Sequence, residues 1–130
     1  MDFDIAQSLI AFAADEAAKS GFAVSIVVLD ATACPVASAR MAGGPNGSVE
    51  IAYGRAISAA RPPAANAATG PLPSGAAGSA KHQDHKRIDG HGGVALRDKA
   101  GAMIGSLGVA GAGESGDEAI AHAAAASLRI

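Results

Sequence analysis

Large side chains are scarce in this chain, and that scarcity constrains its fold more than any motif does. The 130 residues include 34 Ala and 17 Gly, beside three Phe, one Tyr and no Trp. Small residues bury little area each, and at about 25 cal/mol per Å² of buried apolar surface such a core leaves a thin margin. Stability must come from close approach of backbones and from the branched residues of a few strands. Burying a further face by self-association is the usual compensation. A homo-oligomer (dimer, tetramer or octamer) is therefore expected, with the alanine-rich helices and the final strand pair at its interface.

The length fits one domain over residues 1–130, and 49% hydrophobic with 17% charged residues is a globular composition. A net charge of −2 and 3% aromatics exclude the basic stripe and stacking platform of a nucleic-acid binder. Cys34 is the one cysteine, so no intrachain disulfide forms and a reducing compartment is compatible. The start, MDFDIAQSL, carries acids where a signal peptide needs a basic region, and no apolar run reaches the roughly 18–20 residues of a membrane span. The expectation is a cytoplasmic chain with no membrane contact.

Asp4 with Gln7 fits a helix start, with Ile5, Leu9, Phe12 and Ala13 on one face and Gly21 as a stop. Ala23 to Asp30 is rich in β-branched residues and predicts the central strand; Val36 to Met41 reads as its hairpin partner. Ser48 caps a helix that Pro62 and Pro63 end. Residues 61–90 read as a flexible loop, Pro- and Ala-rich first and polar later. Residues 93–97 and 103–109 flank Asp98-Lys99-Ala100-Gly101, a hairpin turn, and Ser115-Gly116-Asp117-Glu118 matches a capping box that opens a last helix. Strands in hairpin-spaced pairs predict an α+β fold with an antiparallel sheet.

Three stretches in this order resemble the GlcG/HbpS-like haem-binding protein family, whose domain also follows the adenosyltransferase part of PduO-type cobalamin enzymes. They are Val27-Val28-Leu29-Asp30 with Arg40-Met41 and the helix from Ser48 to Ala56; Gly92-Gly93-Val94-Ala95-Leu96 with Ile104 to Gly111; and Asp117 to Ala121. The resemblance covers about residues 5–60 and 90–128. It implies a profilin-like five-stranded antiparallel sheet flanked by helices, dimers that assemble further, and haem or corrinoid as ligand. The chain departs from the pattern at Ala33, where the family usually has a turn glycine, at Arg55 in place of Lys, and at Gly116 in place of Gln. Residues 81–91 depart most, with a histidine-rich run.

That run, His82-x2-His85-x5-His91 with Asp84 and Asp89 between, offers nitrogen and oxygen donors for a divalent metal such as zinc or iron. Its imidazoles also titrate near neutral pH and suit general acid–base work. The spacing matches no strong zinc signature, so a solvated polar loop is the competing reading. Arg40 and Arg55 are candidates to fork a ligand carboxylate, and Glu50 a candidate carboxylate beside them, against surface ion pairs and a helix-start dipole contact. Asp30 reads as a turn former, Cys34 as a structural thiol without an activating base, and His122 as an exposed helix residue. Gly105 and Gly108 lie inside a strand and mark close backbone approach, not a phosphate loop.

The expected site gathers His82, His85 and His91 near Arg40 and Glu50, close to a subunit boundary. The expected function is an acid–base enzyme that isomerises, hydrates or hydrolyses a small polar metabolite. The alternative is a haem- or corrinoid-binding accessory module without turnover, and a purely structural subunit is third. Haem and a divalent metal both stand as cofactors on these residues, and a haem site wants an apolar slot with an axial ligand.

Overall fold

The first helix starts earlier than the sequence suggests, because Asp2 and not Asp4 caps it. Asp2 Oδ1 accepts the Ile5 amide at 2.8 Å, and helix α1 runs Phe3–Lys19. The computed structural model describes residues 1–60 and 91–130. In chain order, α1 is followed by β1 (Ser25–Asp30), β2 (Pro35–Arg40), α2 (Ser48–Ala60), β3 (Gly93–Arg97), β4 (Met103–Ala110) and α3 (Gly113–Ala126). The strands form one antiparallel sheet in the order β2-β1-β4-β3. The described residues therefore give an α+β fold with four strands, where the family resemblance implies five. No helix among them is long and apolar enough to cross a membrane.

Strand β1 is buried on both faces, which explains its unbroken apolar run. Ile26 and Val28 pack with Leu107 and Val109 of β4 against Leu9, Ala13 and Ala17 of α1 and Ile120, Ala121 and Ala124 of α3. Val27 and Leu29 point the other way, onto Ala52, Ala56 and Ile57 of α2. The molecule is thus layered, with α1 and α3 on one face of the sheet and α2 on the other.

Alanines and glycines make the second interface by contact of backbone with backbone. A Cβ at Gly108 would strike the Ala52 carbonyl, and one at Gly93 would strike the Arg55 carbonyl. Beside them, Ser106 Oγ donates to Ala56 O at 2.8 Å, and the buried Ser25 and Ser48 hydroxyls meet at 2.7 Å. Helix α2 lies directly on the strands because the strands carry no side chain there to hold it off.

The β1–β2 turn is organised by Asp30, whose Oδ1 accepts from Thr32 Oγ1 (2.7 Å), Thr32 N (2.9 Å) and Cys34 N (3.1 Å). Those bonds, the Thr32 hydroxyl foremost, hold its carboxyl below the ordinary 3.8. A carboxylate with a lowered folded pKa stabilises the fold above its unfolded value and loses that contribution as pH falls through the folded one. Asp30→Asn is expected to be less stable than the parent by a constant amount above about pH 5, with the gap closing in acid. Chemical denaturation of both proteins across that range checks it.

Ala33, in the same turn, has φ +65°, the left-handed region. The glycine that the family resemblance implies at this position would remove a Cβ clash there. Ala33→Gly is expected to raise stability by a few tenths to about 1 kcal/mol, after the greater unfolded freedom of glycine is subtracted. Equilibrium unfolding measures this.

Candidate functional site

One end of the sheet collects the starts of β1 and β3 and the ends of β2 and β4, since Ser25 pairs with Arg40 and Ala110, and Gly93 with Gly108. His91 lies at this end, two residues before β3, with its imidazole 58% exposed. Gly92 ties that segment to the sheet: its carbonyl accepts from Val109 N at 2.8 Å. Its amide donates to Glu118 Oε1 at 2.9 Å.

Glu118 comes from the second turn of α3. Its other oxygen, Oε2, lies 3.2 Å from His91 Nδ1 and 3.7 Å from His122 Nε2. The Gly92 amide lowers its carboxyl pKa, His91 and His122 add to that, and partial burial opposes it. An ionised carboxylate only accepts, so Nδ1 of His91 carries the proton in this pairing. An open cleft of about 430 Å³, lined by His91, Glu114, Ser115 and Glu118, lies beside it. That volume is within the range of small-molecule sites.

A buried ion pair fixes where α3 begins. Arg55 Nη1 of α2 donates to Asp117 Oδ2 and to Val109 O, both at 2.7 Å, while Asp117 Oδ1 accepts from Ala112 N at 2.8 Å. Asp117 is 2% exposed. Helix α3 therefore starts at Gly113, and the Ser115–Glu118 capping box is replaced: Asp117 serves Arg55, and Glu118 serves the His91 segment.

The expected site residues separate in this geometry. His82 and His85 lie outside the described residues. Arg40 shares the sheet end with His91 but occupies the opposite edge, three strand spacings or about 14 Å away at about 4.8 Å each; its Nη1 donates to Gly44 O at 2.9 Å. Glu50 is exposed in the first turn of α2. Arg55 Nη1 donates to Asp117 Oδ2 and Val109 O. Among the described residues, no group of three or more His, Cys, Asp and Glu side chains is gathered for a metal ion. Among the described residues, those that meet His91 are Glu118 and, through it, His122. Their i, i+4 spacing, continued back to Glu114, is the signal in the sequence that could have found them.

The family profile described as "haem degrading protein HbpS-like" matches residues 1–126. The chain belongs to this family. Several solved structures are similar to it in fold over nearly the whole chain. A double mutant of Streptomyces reticuli HbpS is 27% identical with a TM-score of 0.75, covering 100% of this chain and 88% of that one. The PduOC:haem complex is also 27% identical, TM-score 0.76, covering 98% and 94%. Klebsiella pneumoniae ORFY, 23% identical with a TM-score of 0.78 over 99% and 92%, shares the fold. No curated protein matches this chain.

Proposed function

We propose that this chain is a haem-binding protein in which His91 Nε2 ligates the iron. The observation that carries this is the His91–Glu118 pair. Metal-ligating histidines usually give their other ring N–H to a carboxylate, and Nδ1 of His91 lies 3.2 Å from Glu118 Oε2 beside a cleft that His91 lines. The family profile and the likeness to a haem complex support the second sequence reading over an acid–base isomerase, hydratase or hydrolase.

Of the two requirements of a haem site, the described residues supply one: an imidazole is a standard axial ligand, and bound haem would supply redox and O₂ chemistry there. Glu118 orients the ring, and Glu114 and Ser115 add polar groups at the cleft rim. The described lining is polar and open and offers no apolar face of its own. The apolar slot would have to come from a second copy of the chain, which the thin core leads us to expect.

Titration with haemin, followed at the Soret band, tests this. The parent protein is expected to saturate with a shifted band, and His91→Ala to lose that shift or bind at least roughly tenfold more weakly. His91→Ala binding like the parent would place the iron ligand elsewhere.

A further inference from the structure

We infer that the outer edge of β2 is the surface through which two copies of this chain join, strand to strand, into one continuous sheet. Among the described residues β2 pairs with β1 alone and stands at the end of the sheet. The Met41 amide donates to Val24 O at 2.9 Å, so by the alternation of an antiparallel ladder Ala39 and Ala37 also face β1. The backbone amides and carbonyls of Ser38 and Arg40 therefore face outward. Natural sheets usually guard such an edge with a charge, a proline or a bulge within the strand. Here Pro35 and the register shift at Leu29 both fall at the start of β2, and Ala37, Ser38 and Ala39 leave the rest open.

A second copy is the occupant because the edge is complementary to itself. In a two-fold antiparallel pair centred on Ser38, its amide and carbonyl exchange bonds with the partner's Ser38, and Arg40 lies opposite the partner's Val36. Ala37 then meets the partner's Ala39 at a non-hydrogen-bonded position, where side chains come closest and methyl groups are small enough to fit. Ala37 and Ala39 also line an open groove of about 310 Å³ with Phe3, Gln7, Ile10 and Ala11 of α1, and Phe3 is 56% exposed. Pairing sets the two grooves side by side and covers that apolar surface. The charges agree. Four residues at about 3.4 Å each hold Arg40 about 14 Å from the partner's Arg40, beyond a screening length of about 8 Å. Each Arg40 comes instead to the end of the sheet where the partner's Asp30 holds its turn.

This edge is the one away from His91, so the contact is measured without haemin. Sedimentation equilibrium at micromolar concentration compares the parent with Ser38→Pro and Phe3→Ser. Ser38→Pro removes an amide that faces away from β1, so the β1–β2 bonds survive, and its mass is expected to be half that of the parent. Phe3→Ser is expected to dissociate at least roughly tenfold more readily. Oxidation of Ser38→Cys in a Cys34→Ser background reads the register directly. Residues of a hydrogen-bonded pair have Cα atoms about 5.5 Å apart, within disulfide reach, so a cross-linked dimer is expected. The parent's exposed Cys34 would lie about 27 Å from the partner's Cys34, eight residues along, and is expected to form none. Should Ser38→Pro fail to fold, the cross-link decides. A monomeric parent leaves the edge to a strand of some other protein and overturns the proposal. So does an associated parent whose Ser38→Cys variant stays uncrosslinked, or a folded Ser38→Pro variant that keeps the parent's mass.

Discussion

Gly108→Ala is expected to lose about 3 kcal/mol or more, the upper end of what overpacking a core costs. The added methyl would lie against backbone, not against a flexible side chain: the Ala52 carbonyl blocks it, with Ala52 C at 2.9 Å and Ala56 N at 2.8 Å. Relief requires α2 to lift from β4, which would stretch the Ser106 bond to Ala56 O and open the contacts of Val27 and Leu29. A domain with roughly 5–15 kcal/mol of stability and a thin core has little reserve for that. Denaturant unfolding of parent and variant gives the number. Equal stability would show that α2 does not rest on the β4 backbone.

Asp117→Ala is expected to cost about 3–5 kcal/mol, the range for breaking a buried ion pair by removing one partner. The loss leaves the Arg55 guanidinium without its counter-charge and the Ala112 amide without its acceptor. Arg55 already carries a cost, since its Nε is buried without a partner among the described residues. Replacing both members, as Arg55→Met with Asp117→Leu, is expected to recover part of the loss, because an apolar pair strands no charge. Thermal unfolding of the parent and the two variants tests this, and a double variant less stable than Asp117→Ala would contradict it.

What is legible in the sequence follows the range of the interactions involved. Strand β1 can be read because every residue from Ser25 to Leu29 is buried, so the apolar run is continuous. The strand glycines are legible too: Gly108 takes the close approach that a glycine inside a strand implies. Helix starts are harder, because Asp4 with Gln7 matches the local pattern while Asp2, with Ile5 three residues on, is the residue whose side chain takes the Ile5 amide.

The capping box at Ser115 fails for a non-local reason. Its third residue answers to Arg55, 62 positions away, and its fourth to His91, 27 positions away. The same distance hides the site. His91 stands out as a histidine beside the glycines that open β3, but its partner reads as a cap, and His122 reads as a surface residue. Arg40 and Arg55 look available as ligand forks because their partners, Gly44 O and Asp117, are visible only in the fold.

The central claim is that haem binds at the sheet end carrying His91 and Glu118. Paramagnetic line broadening tests it most directly: amide spectra of the protein are compared with ferric haem and with the diamagnetic zinc porphyrin. Broadening is expected to centre on His91, Gly92, Glu114, Ser115 and Glu118, and to spare the groove between Phe3 and Ala39 and the one between Asp4 and Arg129. Broadening centred on either of those grooves, with His91 and Glu118 sharp, would contradict the account.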